Sequence, residues 1–403
     1  MAEKRKKLHS PFRNFLYKLI RNRYFYFFTA IVVGAAFIVG IFAVRDNGTV
    51  KPINGKPTGE VTSVTELKDL EIYFLDVGQG DCVLVKFPDG KNMLVDGGKN
   101  DSSVKSAIDK YLTVDGQKAV IDYCVATHPD EDHIGALPYV YEHYQVGYSY
   151  RPYVYCGNAK DLSDGFEPIN SKVTVTTAAY AEYLSAVNAE SCGYEYFTDK
   201  SDFTNTVTVN NKIYSYTVDF VLPYARSVSG FDDFTDTNDY SAVIMIKYND
   251  RKILLTGDIN FENGKNSTER KIVANYEKDF DYLSCDILKV AHHGSGTSSC
   301  IEFLNAAKPD YAVISCGAGN DYNHPNREVL NRLTSENCVI YRTDLQGTIK
   351  FSINENGDIA KTVETYENDD YLFFSGEELM RYADIAKIKN NKLQAKSRHK
   401  PAF

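Results

Sequence analysis

Short apolar runs recur along the chain from about residue 70 onward, and each is closed by glycine, proline or charged residues. Runs that are rich in Val, Ile, Tyr and Phe and end in turn residues are typical of β-strands. They are EIYFLDV, CVLVKF, NMLV, AVIDYCVA, YSYTVDFV, SAVIMIKY, KILLTG, DILKVA, YAVISC, CVIYR and TIKFSI. Helical patterns lie between several of them, near residues 104–112, 178–189 and 301–307 and after residue 324. Strands that alternate with helices predict an α/β layer architecture.

A different pattern precedes this region, because residues 24–44 form 21 consecutive positions without a charge. At about 1.5 Å per residue, a helix of that length spans the roughly 30 Å hydrocarbon core of a bilayer. Residues 1–23 contain eight Lys and Arg, which favour the cytoplasmic side of a membrane helix. The sequence therefore predicts one transmembrane helix in the cell membrane, with a cytoplasmic N-terminus and an extracellular domain. A cleaved signal peptide is the alternative, but its apolar core has only about 7 to 15 residues.

Charge and composition divide the rest of the chain. Residues 1–45 carry nine Lys or Arg and one acidic residue, a net of +8, so the remaining residues carry −17 of the total of −9. Residues 45–69 are rich in Gly, Pro and polar residues and predict a linker. We predict one domain over 70–365, with a Tyr-rich insertion near 145–215 and a solvated C-terminal tail over 366–403. Such an acidic domain repels a polyanion unless a local basic groove compensates.

All eight cysteines lie beyond the apolar stretch. Four are in apolar, β-branched runs, where a free cysteine behaves as a small buried hydrophobe: Cys82, Cys124, Cys285 and Cys316. Cys156 and Cys192, in the polar middle region, are the pair that suits a disulfide bridge. The sequence contains no CxxC pattern, which argues against a zinc ribbon.

The segment THPDEDHIGAL places four metal-capable side chains within six residues, directly after an apolar strand: His128, Asp130, Asp132 and His133. Imidazole and carboxylate together suit divalent ions such as zinc, manganese or iron. Alternate residues can point to one side of the loop, while the adjacent Asp132 and His133 face different ions. The alternative without metal is a charged loop in which Asp130 or Asp132 caps the following helix.

Two later apolar strands also end in metal-capable residues. KILLTGD delivers Asp258, and ILKVAHHGS delivers His292 and His293. A carboxylate or imidazole at the end of an apolar strand is costly unless it is paired or bound to metal. Because these residues follow the first cluster in order, a bridging ligand between two ions is the simpler interpretation.

His324, in the loop NHPN between a strand and a helix, is a candidate for holding a substrate phosphate. It is equally consistent with a residue that starts the following helix. Three acidic residues in the Gly-rich turns of the first strands are expected to shape loops and support the ligands: Asp76, Asp81 and Asp96.

Eight motifs occur in one order: LDVGQGDC, VDGG, THPDEDHIGA, NDYSAVIMI, ILLTGDI, LKVAHHGS, NHPNREVLNRL and RTDLQGTIKF. In this order the chain resembles the metallo-β-lactamase-fold domain of the ComEC family of competence proteins, over about residues 70–353 with the middle region unmatched. The resemblance implies an αββα sandwich with two divalent ions, zinc or manganese, at one edge of its two sheets. The ligand roles that it implies fall on His128, Asp130, Asp132, His133, Asp258 and His292.

Of the adjacent histidines, one is expected to bind metal and the other to face the substrate phosphate. We assign metal binding to His292 and a catalytic role to His293, together with Asp132 and His324. Two features depart from the general pattern His-x-His-x-Asp-His. Asp130 replaces the second histidine, and residues 237–239 (TND) stand where a further superfamily histidine is usual. The first metal site is therefore richer in oxygen, which favours manganese over zinc.

Two divalent ions about 4 Å apart can generate hydroxide near neutral pH and neutralise charge that develops on a phosphoryl oxygen. The expected function is a metal-dependent hydrolase, most directly a phosphodiesterase or nuclease that uses metal-bound hydroxide, with single-stranded DNA as the candidate substrate. A cell-envelope phosphoesterase of the teichoic-acid type and a non-catalytic binding domain are the alternatives. If DNA is the substrate, the candidates for a basic groove are Lys289, Lys308, Arg327, Arg342 and Lys350.

Overall fold

The computed structural model describes residues 57, 59–112, 120–157, 173–190, 192–198, 201–221, 236–262, 267–279 and 281–364. The predicted membrane segment 24–44, the basic segment 1–23 and the predicted tail 366–403 lie outside these residues. Within them, no helix combines the length and the apolar character needed to cross a membrane.

Within the described residues the strands are β1 Val61–Ser63, β2 Leu70–Phe74, β3 Val83–Lys86, β4 Asn92–Val95, β5 Val120–Val125, β6 Gln145–Arg151, β7 Tyr155–Cys156, β8 Thr174–Val175, β9 Gly193–Tyr196, β10 Phe203–Val209, β11 Lys212–Val221, β12 Val243–Tyr248, β13 Arg251–Leu255, β14 Ile287–Lys289, β15 Tyr311–Ile314, β16 Val339–Arg342, β17 Ile349–Ile353 and β18 Ile359–Val363. The helices are α1 Asp101–Tyr111, α2 Glu131–Ile134, α3 Leu137–His143, α4 Ala178–Ala189, α5 Thr268–Asn275, α6 Ile301–Ala307, α7 Arg327–Ser335 and α8 Thr343–Gln346. Short 3₁₀ turns cover Asn238–Tyr240 and Ala291–Gly294.

The strands form two large sheets of similar design. One has the order β1-β10-β11-β12-β13-β14-β15-β16, and the other has the order β18-β17-β2-β3-β4-β5-β6-β9. In the first, β10 to β13 pair antiparallel and β13 to β16 pair parallel. In the second, β18 to β4 pair antiparallel and β4 to β9 pair parallel. The β7-β8 pair forms a small separate sheet.

Alternate residues of the strands enter two different hydrophobic clusters. Phe74 of β2 and Ile244 of β12 share one cluster, which draws its buried residues from both large sheets. The intervening Tyr73 and Met245 join the other cluster, which also contains helix residues such as Leu304. Because strand side chains alternate between faces, one face of each sheet packs on the other sheet and the opposite face packs on helices. This mixed α/β sandwich confirms the layer architecture predicted from the sequence.

The Tyr-rich region, which the sequence predicts as an insertion over 145–215, contributes strands to both large sheets. Strand β6 lies between β5 and β9, and β10 lies between β1 and β11. Tyr148 and Tyr150 of β6 are buried in the cluster between the sheets. Tyrosine thus serves as a core residue here, and its hydroxyl group made the strand pattern look polar. The sheet also begins earlier than predicted, because β1 falls inside the expected linker 45–69.

The structure does not support the disulfide suggested for Cys156 and Cys192, because all eight cysteines are free. Cys156 is buried in the helix-side hydrophobic cluster, and Cys192 packs against the same cluster. Both therefore behave as small apolar side chains. The free, buried states expected for Cys82 and Cys124 are confirmed.

Candidate metal centre

Strands from both sheets end at the same place and deliver polar side chains to it. His128 follows β5 of one sheet, whereas Asp258 follows β13 of the other, and His128 Nε2 lies 4.0 Å from Asp258 Oδ2. His293 follows β14, the parallel neighbour of β13. The apolar strands thus bring residues that are more than 120 positions apart into one cluster.

The tightest part of this cluster consists of four side chains. His133 Nε2 lies 3.2 Å from His293 Nε2 and 3.2 Å from Asp258 Oδ1. His293 Nε2 lies 3.3 Å from Asp132 Oδ2 and 3.4 Å from Asp258 Oδ2. A tetrahedral ion with ligands at about 2.0–2.2 Å requires ligand atoms about 3.3–3.6 Å apart, so the spacing of these residues fits one divalent ion.

A wider set of donors lies around Asp258 Oδ2, with His128 Nε2 at 4.0 Å and His292 Nε2 at 3.8 Å. His128 is fully buried, and its Nε2 has no hydrogen-bond partner among the described residues. That nitrogen is 3.8 Å from Asp130 Oδ2. A buried imidazole nitrogen without a partner is costly unless it binds something, so this set fits a second ion. The Asp258 carboxylate stands between the two sets.

The two adjacent histidines take up different positions in the cluster. His293 is buried and completes the tight cluster, whereas His292 keeps a quarter of its side chain exposed. Both have left-handed backbone angles, with φ of 53° and 52°. This turn brings both rings to the same oxygen of Asp258, with His293 Nε2 at 3.4 Å and His292 Nε2 at 3.8 Å from Oδ2. His293 lies within 3.4 Å of Asp258, Asp132 and His133, so it is placed as a further candidate ligand.

Two glycine-rich loops hold the short helix α2, which carries Asp132 and His133. Asp81 N donates to Asp132 O, and Gly97 N donates to His133 O. A side chain at Gly80 would collide with the Asp132 carbonyl, so only glycine allows this close approach. The glycines of LDVGQGD and VDGG therefore position the ligand-bearing helix.

Helix capping does not explain the acidic residues of this loop. Asp130 begins α2, but its side chain makes no capping hydrogen bond. Its Oδ1 instead accepts a hydrogen bond from Thr237 Oγ1 at 2.9 Å. Thr237 thus orients Asp130 from the segment where a further superfamily histidine is usual. Ser241, at the end of that segment, similarly accepts from Asp258 N at 3.0 Å.

Outer residues orient the imidazoles. His133 Nδ1 lies 2.7 Å from Asp96 Oδ2, and Thr127 donates to the same carboxylate. His293 Nδ1 lies 2.9 Å from Ser315 O and 3.2 Å from Asp81 Oδ1. Because these neighbours are acceptors, each Nδ1 carries hydrogen and each Nε2 is left to bind metal. The supporting role expected for Asp81 and Asp96 agrees with these contacts.

The charge of the site sets the protonation of its histidines. Burial lowers the pKa of His133 and of His293, but the nearby carboxylates, led by Asp258, outweigh it and raise both values well above the ordinary range. Burial and the neighbouring His133 lower the pKa of His128. Burial opposes ionisation of Asp132, but His293 and His133 lower the pKa of that carboxyl. In the metal-free chain the carboxylates therefore favour the protonated forms of His133 and His293, at the place where metal cations would bind.

His324 lies beside the ligands. Its ring centroid is 5.6 Å from that of His292 and 6.2 Å from that of His293. It does not start α7, because Asn326 caps that helix and accepts from Glu328 N. Burial, together with His293 and His292, lowers the pKa of His324 to about 4. The ring is therefore neutral at physiological pH.

The predicted basic groove is only partly available. Lys289 is buried, with its Nζ 2.7 Å from Asp81 Oδ2, and Arg342 is buried with its guanidinium 2.6 Å from Asp344 Oδ2. Lys350 pairs with Glu71. Lys308 and Arg327 are at the surface. The sequence suggested groove positions for all five but could not show that three serve ion pairs within the domain.

Comparison with known proteins agrees with this geometry. Residues 75–177 match the family described as the metallo-beta-lactamase superfamily. The matched region contains the first ligand motif and ends before Asp258 and His293. The chain thus has the mixed α/β sandwich of the metallo-β-lactamase type, a fold typical of metal-dependent hydrolases. Its buried cluster of Asp81, His133, Asp258 and His293 could hold a metal ion, so Asp81 is a further candidate ligand beside Asp132.

Three known proteins are similar to parts of this chain that differ in length. Competence protein ComA of Neisseria gonorrhoeae is 35% identical over 132 residues, 33% of this chain and 18% of that protein. ComE operon protein 3 of Bacillus subtilis (strain 168) is 26% identical over 317 residues, 74% of this chain and 35% of that protein. Recombination protein 2 of Haemophilus influenzae is 24% identical over 283 residues, 70% of this chain and 28% of that protein. The matches thus span between 18% and 35% of these relatives' own length.

Proposed function

We propose that this protein is a metal-dependent phosphodiesterase that cleaves single-stranded DNA. The observation that carries the proposal is the convergence of Asp132, His133, Asp258 and His293 through contacts of 3.4 Å or less. Beside them lies the Nε2 of buried His128, which has no hydrogen-bond partner among the described residues. Similarity to competence and recombination proteins supports a DNA-related substrate.

Each side chain has a distinct task in this proposal. Asp132, His133, Asp258 and His293 would hold one divalent ion, and His128, Asp130, Asp258 and His292 would hold the other. Ions bound there would lower the pKa of a water and neutralise charge on a phosphoryl oxygen. Each set offers two imidazole nitrogens and two carboxylates, a mixture of donors that suits manganese or zinc.

His324 and Asp132 act on the substrate side. The neutral His324 ring can donate a hydrogen bond to a phosphate oxygen from one nitrogen and accept with the other. Its Nδ1 has no partner among the described residues, so it is available for such a contact. Asp132 keeps 29% of its side chain exposed, and its second carboxylate oxygen can take a proton from water.

Salt dependence tests whether the substrate is nucleic acid. Each phosphate contact contributes a slope of about −0.7 to log affinity against log salt for single strands. Lys308 and Arg327, the two surface candidates, would give about a sevenfold fall in kcat/KM for a DNA oligonucleotide between about 50 and 200 mM salt. The measurement is cleavage of that oligonucleotide by the full-length chain with manganese.

A small diester with one charge serves as the control, because it should lose almost nothing over the same salt range. Turnover of the small diester alone, without DNA cleavage, would favour the second candidate, a cell-envelope phosphoesterase. The internal ion pairs of Lys289, Arg342 and Lys350 are the observation in favour of that alternative. A binding domain without catalysis would cleave neither substrate.

We also propose that residues 24–44 anchor the chain in the cell membrane with the domain outside. The basis is the uncharged stretch of 21 residues and the eight basic residues before it. A protease added to intact cells should therefore digest the domain. Digestion that occurs only after the cells are permeabilised would reverse the orientation.

A further inference from the structure

Tyr322 is an exposed aromatic residue beside the metal centre. Its relative exposure is 67%, which is high for a large aromatic side chain. The ring stacks on His324, with centroids 5.6 Å apart and planes 25° apart. His324 in turn stacks on His293, at 6.2 Å and 25°. These three rings form a stack that leads from solvent to a proposed metal ligand.

The loop that carries Tyr322 is held by one hydrogen-bond network rather than left open. Asn320 Oδ1 accepts from Tyr322 N at 3.1 Å and from His324 N at 3.0 Å. Asn320 Nδ2 donates to Gly317 O and His324 O. Gly317 N donates to Gln79 Oε1, which joins the loop to the GQG turn. Tyr322 is therefore presented in a fixed position, so binding on its ring needs little ordering of the loop.

We propose that the exposed face of Tyr322 stacks a nucleobase of single-stranded DNA next to the phosphate that is cleaved, an inference that rests on the proposed function. Aromatic side chains bind single strands in this way because every base has a π-face, whereas bases in a duplex are already stacked. Stacking also suits an acidic domain, because its affinity does not depend on positive charge. Tyr322 thus supplies the substrate contact that Lys289, Arg342 and Lys350 do not.

Two variants and two substrates test the role of Tyr322. Tyr322→Ala removes the platform, and Tyr322→Phe keeps the ring without the hydroxyl. The substrates are a thymidine oligonucleotide and an abasic oligomer with the same phosphates but no bases. Equilibrium binding is measured by fluorescence anisotropy with manganese on phosphorothioate versions of both oligomers, which resist cleavage, and kcat and KM are measured separately on the unmodified oligomers with manganese. All measurements use the full-length chain.

We expect Tyr322→Ala to weaken binding of the thymidine oligomer and raise its KM about tenfold, a change that corresponds to about 1.4 kcal/mol. The kcat should stay within about twofold of the wild-type value, because single-site changes away from the reacting groups mainly alter binding. Tyr322→Phe should behave like the wild type. The abasic oligomer should bind wild type and Tyr322→Ala equally.

Three results would overturn the inference. One is equal weakening of the thymidine and abasic oligomers, which indicates that Tyr322 only supports the loop and His324. Another is no change in either substrate, and the third is no binding of the thymidine oligomer by the wild type. Base-dependent binding without any cleavage would support base stacking on Tyr322 and refute the proposed nuclease activity.

Discussion

Replacing Asp258 with alanine should reduce DNA cleavage by about three orders of magnitude, since a lost contact worth about 4 kcal/mol corresponds to that factor. The bound metal should fall to at most one ion per chain. Asp258 Oδ1 lies 3.2 Å from His133, and Oδ2 lies within 4.0 Å of His128 and 3.8 Å of His292. One substitution therefore removes a ligand from both proposed sites. Metal content is measured by elemental analysis of the full-length chain, and activity is measured on a DNA oligonucleotide.

Asp219→Ala is the matched control, because Asp219 is a buried carboxylate that pairs with Lys247 at 2.6 Å, outside the metal centre. It should retain both activity and metal. His324→Ala should retain metal but lose about a hundredfold in turnover, since removing one hydrogen-bond donor aimed at charge that develops in the transition state costs at least about that factor. Equal metal content in the wild type and Asp258→Ala would refute the bridging role.

The ligand motifs are readable in the sequence because each ligand follows an apolar strand. A strand delivers the residue that follows it to the edge of its sheet, so the pattern of apolar runs is enough to place His128 and Asp258 each at the end of a strand. The α/β layering also follows from strands that alternate with helices. The pattern does not show how the two sheets face each other. It therefore could not predict the 4.0 Å distance between these two side chains.

The choice between His292 and His293 depended on backbone geometry that no residue pattern reports. Adjacent residues on a strand point to opposite faces, but both histidines lie beyond β14 in a turn with left-handed φ angles. Such angles are uncommon for non-glycine residues. The alternation of side chains along a strand therefore does not predict where the two histidines point. The contacts with Asp81 and Ser315 that fix His293 come from two other loops.

The Tyr-rich region and the basic residues show a second limit of sequence reading. Tyr150 is fully buried, although tyrosine is often half exposed. The sequence of β6 therefore did not show the apolar pattern of a buried strand. Lys289 lies in the middle of the apolar run ILKVA, and this position could have been used to predict a buried ion pair. A lysine at a buried strand position must have a partner, and that partner is Asp81 from the other sheet.

Lys289 and Asp81 form an ion pair with almost no solvent contact. Their relative exposures are 1% and 3%, and the Nζ to Oδ2 distance is 2.7 Å. Burial opposes ionisation of Asp81, but Lys289, His293 and His133 together outweigh it and lower the pKa of the carboxyl. The other oxygen, Oδ1, lies 3.2 Å from His293 Nδ1. The lysine thus lets Asp81 stay ionised while it orients a proposed metal ligand.

Lys289→Met should lower the free energy of unfolding of the metal-free chain by about 3–5 kcal/mol, because it removes one member of a buried ion pair and leaves His293 as the remaining cation in contact with Asp81. The measurement is urea unfolding of the full-length chain in a mild detergent with a chelator. The double variant Asp81→Asn with Lys289→Met removes both charges and keeps an oxygen that can accept from His293. It should therefore be more stable than Lys289→Met alone, since replacing both members of a buried pair is often close to neutral. A loss below about 1 kcal/mol in Lys289→Met, the range of an exposed pair, would contradict this account, as would a double variant no more stable than the single one.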